Sequence, residues 1–523
     1  LASLKLGAQV VPVYHTLPAE SVRYILHDAE VTHIVVEDQN LLNNIMSIID
    51  SLPSLTHIVH LGETPASNPG NGRLLPFSRL RTSGAAALTN DPALNRPCPV
   101  QPDAIATICY TSGTTGEPKG AMLTHQNILS NVLSAIEWCN INEKDVLLSF
   151  LPLCHMFERT CGYYSLLLAG ACIAYAESVQ TVAQDARTIR PTLMIVVPRV
   201  LEKAYSTVVE RVLKGPALQR RLMAAALRSH TRYARLRHRG QRIPLRLALV
   251  RWLTGLLVVR RLHRLAGGRL RMIFSGAAPL DRRLANIFRA FGFNLLEGYG
   301  LTEAAPVICA ALPGHERVGT VGRPFPGVEV RIGANSEVLV RGPNVMKGYL
   351  NKPEETARTI DQDGWLHTGD QGRFDEFGNL IITGRIKELI VNSYGKNIAP
   401  VPIEQALISS PYIEQALVIG DRRPFLSALI VPCRNMLENW AQTKGISAND
   451  YHELLLQPRV TELFRSEINR LTASLAPYEQ VREFRLIPEP YTVENGLLTP
   501  TLKLRRRQVE EIYRNEIESM YRE

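Results

Sequence analysis

Apolar and polar positions alternate between two periods along most of the chain. Short apolar runs of strand length recur at Gln9–Tyr14, Thr32–Val36, Ala104–Cys109, Asp145–Leu151, Leu193–Val197, Arg271–Ser275 and Asn294–Leu296. Between them lie stretches of helical period. Val22, Ile25, Leu26 and Ala29 share one helical face after Pro18, and Leu284, Ile287, Phe288 and Phe291 fall at i, i+3, i+4 and i+7 behind the candidate cap Asp281. Gly292 can end that second helix. Thr124-His125-Gln126-Asn127 and Pro198–Lys203 each open a further helix. Apolar strands alternating with amphipathic helices predict a parallel sheet covered on both faces. Residues 62–102, rich in Pro, Gly, Ser and Asn, read as a loop-heavy connection. Residues 316–384 change to short β-type runs with many glycines, a smaller and mostly antiparallel region. After Ile390 the pattern becomes compact α+β: a helix around Ile403–Ile408, strands Gln415–Ile419 and Ser427–Val431, a helical stretch, and a strand Arg482–Ile487.

At 523 residues, 45% apolar and 21% charged, this is an ordinary globular composition spread over more than one core. No apolar run reaches the ~18 residues needed to span a bilayer. Leu1-Ala2-Ser3-Leu4-Lys5 carries no secretory pattern. The eight cysteines include no Cys-x-x-Cys pair, and several lie in apolar runs, so free thiols in a reducing cytosol are expected. Charge is uneven. Arg211–Leu280 holds sixteen arginines, one lysine and no acidic residue, or +17, while the whole chain carries +10, so the remainder is 10 − 17 = −7. Two readings fit that segment: a solvated helical insertion, or a face that lies on an anionic membrane without crossing it. Aromatic interleaving is thin there, as with Tyr233 and Trp252, and no nucleic acid is expected as a partner.

The densest candidate chemistry is Tyr110-Thr111-Ser112-Gly113-Thr114-Thr115-Gly116-Glu117-Pro118-Lys119-Gly120, directly behind the apolar run Ala104–Cys109. Glycines let backbone N–H groups approach an anion, hydroxyls add donors and Lys119 adds a positive charge, which together suit a polyphosphate. The Gly-Lys-Ser/Thr ending of the usual P-loop is absent. Two later strand ends, Gly276-Ala277-Ala278-Pro279 and Glu297-Gly298-Tyr299-Gly300-Leu301-Thr302-Glu303, offer small residues and one aromatic ring, a slot for a flat base.

These motifs resemble, in order, those of the adenylate-forming (acyl-activating) superfamily, and Pro152–Arg159 with Gly162-Tyr163-Tyr164 is most similar to bacterial long-chain fatty acid–CoA ligases. The resemblance implies an α/β fold with a large N-terminal AMP-binding domain of stacked sheets plus the antiparallel region, residues 1–386, and a small mobile α+β C-terminal domain, residues 387–523. Family members carry a few dozen further residues before Leu1, so the chain is expected to be N-terminally truncated.

The resemblance also implies roles. Thr111, Ser112, Gly113, Thr114, Thr115, Gly116 and Lys119 would cradle phosphates. Gly276, Ala277 and Ala278 would line adenine, with Glu297, Gly298 and Gly300 beside them and Tyr299 stacked on the base. Thr302 would contact phosphate, and Thr111 with Glu303 would hold Mg²⁺. Asp370 and Arg385 would meet the ribose. His155 would lie between nucleotide and acyl site. Lys387 is the expected hinge. Gly395 and Lys396, in Ser393–Pro400, would approach coenzyme A, although Tyr394 stands where a small or polar residue is more common. Lys503, in Thr501-Leu502-Lys503, matches the catalytic lysine. The expected reaction joins ATP and a fatty acid into acyl-AMP and pyrophosphate, then transfers the acyl group to coenzyme A. The alternative is a fatty acyl-AMP ligase or other adenylate-former serving a carrier protein. A cytoplasmic location follows, with contact at the inner membrane face through Arg211–Leu280 as the further reading.

Overall fold

The computed structural model describes residues 1–62, 73–111, 117–238, 240–492, 495–499 and 504–522. Its centre is a seven-stranded sheet. Five strands run parallel in the order Leu295–Gly300, Met272–Ser275, Leu193–Val196, Val146–Ser149 and Cys172–Tyr175. Val307–Ala310 and Arg323–Pro324 extend it antiparallel beyond Leu295–Gly300. The period of two along each strand divides its side chains between two cores. Leu148, Met194, Val196, Ile273 and Leu295 pack on one face; Leu147, Leu193, Ile195, Met272 and Leu296 pack on the other. Burial on both sides is why these strands read as unbroken apolar runs.

Three smaller sheets surround this one. The chain from Ile105–Thr111 turns back as Lys119–Thr124, antiparallel, with Thr111 opposite Lys119, and Gly348–Tyr349 adds a third strand. Thr111 and Lys119, on either side of the candidate phosphate loop, therefore stand opposite each other. Glu329–Ile332, Glu337–Arg341, Leu366–Phe374 and Leu380–Arg385 form an antiparallel sheet in the region expected to be antiparallel. His33–Val36, His57–His60 and Leu74–Pro76 form a parallel one. In the C-terminal part, Ile413–Ile419 and Leu426–Pro432 pair antiparallel, and Val481–Leu486 adds in parallel.

Several expectations need correction. Gln9–Tyr14 is not a strand. It touches Ile105–Thr111 through a single bridge at Val10, and Pro12 has no N–H with which to continue the ladder. Residues 73–102 are not mainly loop: strand Leu74–Pro76 leads into helix Phe77–Asn90, which buries no residue and so shows no amphipathic signal. Leu295–Gly300 runs four residues beyond the apolar stretch that announced it, so Glu297–Gly300 lie within the strand. The cysteines are free, but Cys98 and Cys172 are exposed. Helix starts fare better. Thr124 and Asn127 form a reciprocal capping box on His125–Cys139, and Asp281 accepts from the Leu284 N–H on Arg282–Ala290.

The basic segment folds as helices Ala217–His238 and Leu245–Thr254, a π-helical turn Gly255–Val259 and helix Arg260–Leu265. Among the described residues no helix is long and apolar enough to cross a membrane.

Candidate active site

Ser112, Gly113, Thr114, Thr115, Gly116 and Lys503 lie outside the described residues, so the site is built here from what flanks them. Thr111 ends its strand, and its hydroxyl donates to Glu303 Oε1 at 3.4 Å. Glu303 comes from the short 3₁₀ turn Thr302–Ala304, held by Met346 N–H donating to the Glu303 carbonyl at 2.9 Å. Tyr349 O–H donates to the same Glu303 oxygen at 2.9 Å. Burial first, and then the Glu303 charge, raises the Tyr349 phenol above its usual range. The set is all oxygen, one carboxylate with two hydroxyls. Among the described residues no group of three or more His, Cys, Asp or Glu converges. A hard cation would complete its shell here from water and phosphate oxygens, which fits Mg²⁺.

Lys119, opposite Thr111, pairs its ammonium with Glu355 and lies 5.2 Å from the Tyr349 ring centroid. Neither Tyr349 nor Glu355 stood out in the sequence. The signal available was an aromatic residue and two acids around Pro353, with no spacing that ties them to Thr111.

The candidate nucleoside slot lies where neighbouring parallel strands end. Ser275 stands opposite Glu297, so Gly276–Ala278 and Gly298–Gly300 follow on adjacent strands. Ala277 adopts a left-handed backbone, φ +67°. A Cβ on Gly276 would come 3.0 Å from the Phe157 ring, so the His155–Phe157 turn is packed onto this strand end. His155 Nδ1 accepts from the Phe157 N–H at 3.1 Å. Gly300 has no room for a side chain, because a Cβ would sit 1.8 Å from the Pro306 carbonyl oxygen.

Tyr299, Asp370 and Arg385 form one cluster. Tyr299 O–H donates to Asp370 Oδ2 at 2.7 Å, and Arg385 Nε lies 2.9 Å from Oδ1. The cross-strand register sets Asp370 directly opposite Arg385, which accounts for the pair. Burial and then the Asp370 charge push the Tyr299 phenol far above its ordinary value.

Glu297 makes a different contact from those of the slot. Its carboxylate lies 3.6 Å from Arg289 Nη2, on the helix packed beneath. Burial pushes it up to about 7, against the pull of Arg289. Thr302 shares the Glu303 turn. Lys387 sits in the 3₁₀ turn Ile386–Glu388, immediately after the strand bearing Arg385. Gly395, at φ +72°, and Lys396 lie in the turn joining Ile390–Val391 to Asn397–Ile398. No hydrogen bond or ion pair of the described residues joins that turn to the Thr111 cluster. On either side of 500–503 the chain is fixed: Leu498 bridges Leu504, and Arg506 holds Glu404 at 2.5 Å.

This chain belongs to the AMP-binding enzyme family: the family's model matches residues 1–350, and that of its C-terminal domain matches residues 387–523. Among its relatives, a long-chain-fatty-acid–CoA ligase of Mycobacterium bovis is 34% identical over 99% of this chain and 85% of its own. Long-chain-fatty-acid–CoA ligase 1 of Homo sapiens is 32% identical over 98% of this chain and 74% of its own. Among solved structures, the adenylation domain of a carboxylate reductase from Mycobacterium chelonae superposes with a TM-score of 0.73 at 24% identity, covering 99% of this chain and 77% of that one. An anthranilate CoA ligase bound to anthranoyl-AMP gives 0.68 at 22%, covering 98% and 84%. At these identities the superpositions establish the α/β fold.

Proposed function

We propose that the protein is a long-chain fatty acid–CoA ligase. It converts ATP and a fatty acid into acyl-AMP and pyrophosphate, then acyl-AMP and coenzyme A into acyl-CoA and AMP. The observation that carries this reading is the likeness, at 30–34% identity over nearly the whole chain, to several long-chain fatty acid–CoA ligases.

The first half-reaction needs no side-chain nucleophile, because the fatty carboxylate is already ionised at neutral pH. It attacks the α-phosphorus and pyrophosphate leaves. Charge builds on both, so the catalyst must supply donors and cations. Thr111–Gly116 and Lys119 are assigned to the polyphosphate, and Thr111 and Glu303 would hold Mg²⁺. A bound Mg²⁺ would neutralise phosphate charge and orient the leaving group. Asp370 accepts from the ribose hydroxyls, with Arg385 and Tyr299 fixing its carboxylate. Tyr299, Gly276–Ala278, Glu297, Gly298 and Gly300 are assigned to the adenosine side, Thr302 to phosphate and His155 to the junction with the acyl chain. Residues 1–386 and 387–523 act as two lobes hinged at Lys387. The small lobe brings Lys503 to the α-phosphate, then withdraws it and presents Gly395 and Lys396 to coenzyme A.

Fatty-acid-dependent exchange of pyrophosphate into ATP, together with coenzyme A consumption, tests the reading. Lys503→Ala should lower adenylate formation by about a hundredfold or more, the scale of lost transition-state charge stabilisation. It should leave thioester formation from supplied acyl-AMP near the parent rate. Equal loss of both half-reactions removes the lysine's role, and exchange without coenzyme A consumption removes the acceptor.

The partner reading extends to an anionic membrane surface. Leu245, Leu249, Trp252, Leu253, Leu256 and Leu257 recur at helical spacing and are all exposed, Leu245 to 89%. Arg246, Arg260, Arg261 and Arg264 flank them, also exposed. On the neighbouring helix Arg228, Arg232 and Arg235 line a surface cavity of about 440 Å³ with Thr231 and Leu236. An apolar stripe bordered only by cations suits a bilayer carrying anionic headgroups.

A further inference from the structure

Lys119 and Glu355 are 236 residues apart in sequence. The hairpin and the helix Pro353–Thr359 bring them together. Their environment shows a division of labour at the carboxylate. Oε2 takes the Lys119 ammonium, while Oε1 takes Arg358 Nη1 at 3.0 Å. Lys119 first, and then Arg358 and Lys387, hold the Glu355 carboxyl below its usual range. The other flank of the loop is tied to the same segment, because Lys352 Nζ lies 3.7 Å from Glu117 Oε2.

The Lys119 and Glu355 side chains keep 27% and 34% of their exposure, which marks the pair as one that water screens and a stronger anion can break. A nucleoside triphosphate is such an anion. Losing Lys119 would not strand Glu355, since Arg358 stays on its other oxygen. Lys119 would leave along the Tyr349 ring, whose hydroxyl already rests on Glu303.

We infer that Glu355 is a positioning residue for nucleotide capture: it competes with the ATP polyphosphate for Lys119 and holds that lysine parked beside Tyr349 until ATP arrives. The inference rests on the assignment of Lys119 to the polyphosphate. It adds a competitor that sets how tightly ATP is taken up. Removing the competing charge therefore strengthens ATP capture, which the loss of a merely structural ion pair would not do.

Steady-state kinetics of Glu355→Gln, Glu355→Asp, Lys119→Gln and the double variant Lys119→Gln/Glu355→Gln test this, with a thermal melt of each. Glu355→Gln should lower the ATP KM about two- to fivefold, the range expected for one partly screened pair, and leave the fatty acid KM unchanged. Glu355→Asp should restore the parent ATP KM. Lys119→Gln should raise the ATP KM, and Glu355→Gln should have no further effect in its background. If Lys119→Gln raises the ATP KM while Glu355→Gln leaves it unchanged or raises it, the inference is overturned and the assignment of Lys119 stands. If Lys119→Gln leaves the ATP KM unchanged, the assignment itself fails and the inference with it.

Discussion

The Glu158 carboxyl is sealed between the sheet and the π-helical turn Glu158–Tyr164. Ser149 O–H donates to its Oε1 at 2.5 Å, and a Cβ on Gly162 would come 3.0 Å from its carboxyl carbon. Burial pushes this group up to about 8 from an ordinary 4.5, with Ser149 pulling the other way. The folded value lies above the unfolded one, so the stabilisation is complete at low pH and is lost as pH rises through the interval toward 8. Glu158→Gln should remove that slope, on the order of 1 kcal/mol per pH unit between about 5 and 8. Thermal melts of parent and variant across that interval check it. Asp370 gives a second test. Asp370→Asn leaves Arg385 without its charge partner, and on the ribose role proposed for Asp370 the ATP KM should rise about tenfold or more while the fatty acid KM holds. Residues of the candidate site stand out in the sequence where they sit in a contiguous motif, as with Thr111 or Tyr299. Contacts between motifs came only from the resemblance, which pairs Thr111 with Glu303 at a cation: 192 residues separate the two, and no spacing rule spans that distance.

Elements were legible in proportion to what they bury. Leu193–Val196 is buried at every position and stood out as an apolar run. Helix Phe77–Asn90 buries nothing, and its Ser, Thr, Gly and Asn content made it look like loop. The strand Lys119–Thr124 carries only Ala121–Leu123 as an apolar run, too short to mark a hairpin in the sequence. That helix start has a measurable worth: Thr124→Ala removes half of the capping box and should cost about 1 kcal/mol in a denaturant melt. The exposed stripe on Leu245–Val259 carries its own test. A triple change, Leu249→Ser with Trp252→Ser and Leu256→Ser, removes apolar side chains that are 59%, 63% and 49% exposed, so the loss of stability should stay within about 2 kcal/mol. Sedimentation with vesicles of mixed zwitterionic and anionic lipid at low salt should fall severalfold. Unchanged sedimentation would leave the stripe without this partner.

At the scale of the whole molecule, the C-terminal part has its own interior. Successive residues of Ile413–Ile419 and Leu426–Pro432 point into two separate cores: Ala416, Val418, Ala428 and Ile430 into one, Leu417, Ile419, Leu429 and Val431 into the other. Among the described residues the polar ties to the large part are thin: Arg199 to Glu414 at 3.5 Å and Arg283 Nη1 to Ser409 at 3.4 Å. Surface pairs of this kind are worth about 0–1 kcal/mol. Residues 387–523 expressed alone should therefore fold, giving a single cooperative melt by circular dichroism. A fragment without cooperative unfolding would show that its core depends on the large part. The change of pattern after Ile390 falls at the start of the segment whose side chains fill these two cores, because a core of its own writes its own periodicity.

The arginine-bearing helices give the molecule an electrical heading. With +17 gathered in one segment and −7 spread over everything else, the anionic surface proposed as a partner would attract that segment and repel the rest. Arrival at such a surface would be oriented before any leucine touches it, one way up and not the other. Raising the ionic strength would first scramble that heading and only then loosen the hold.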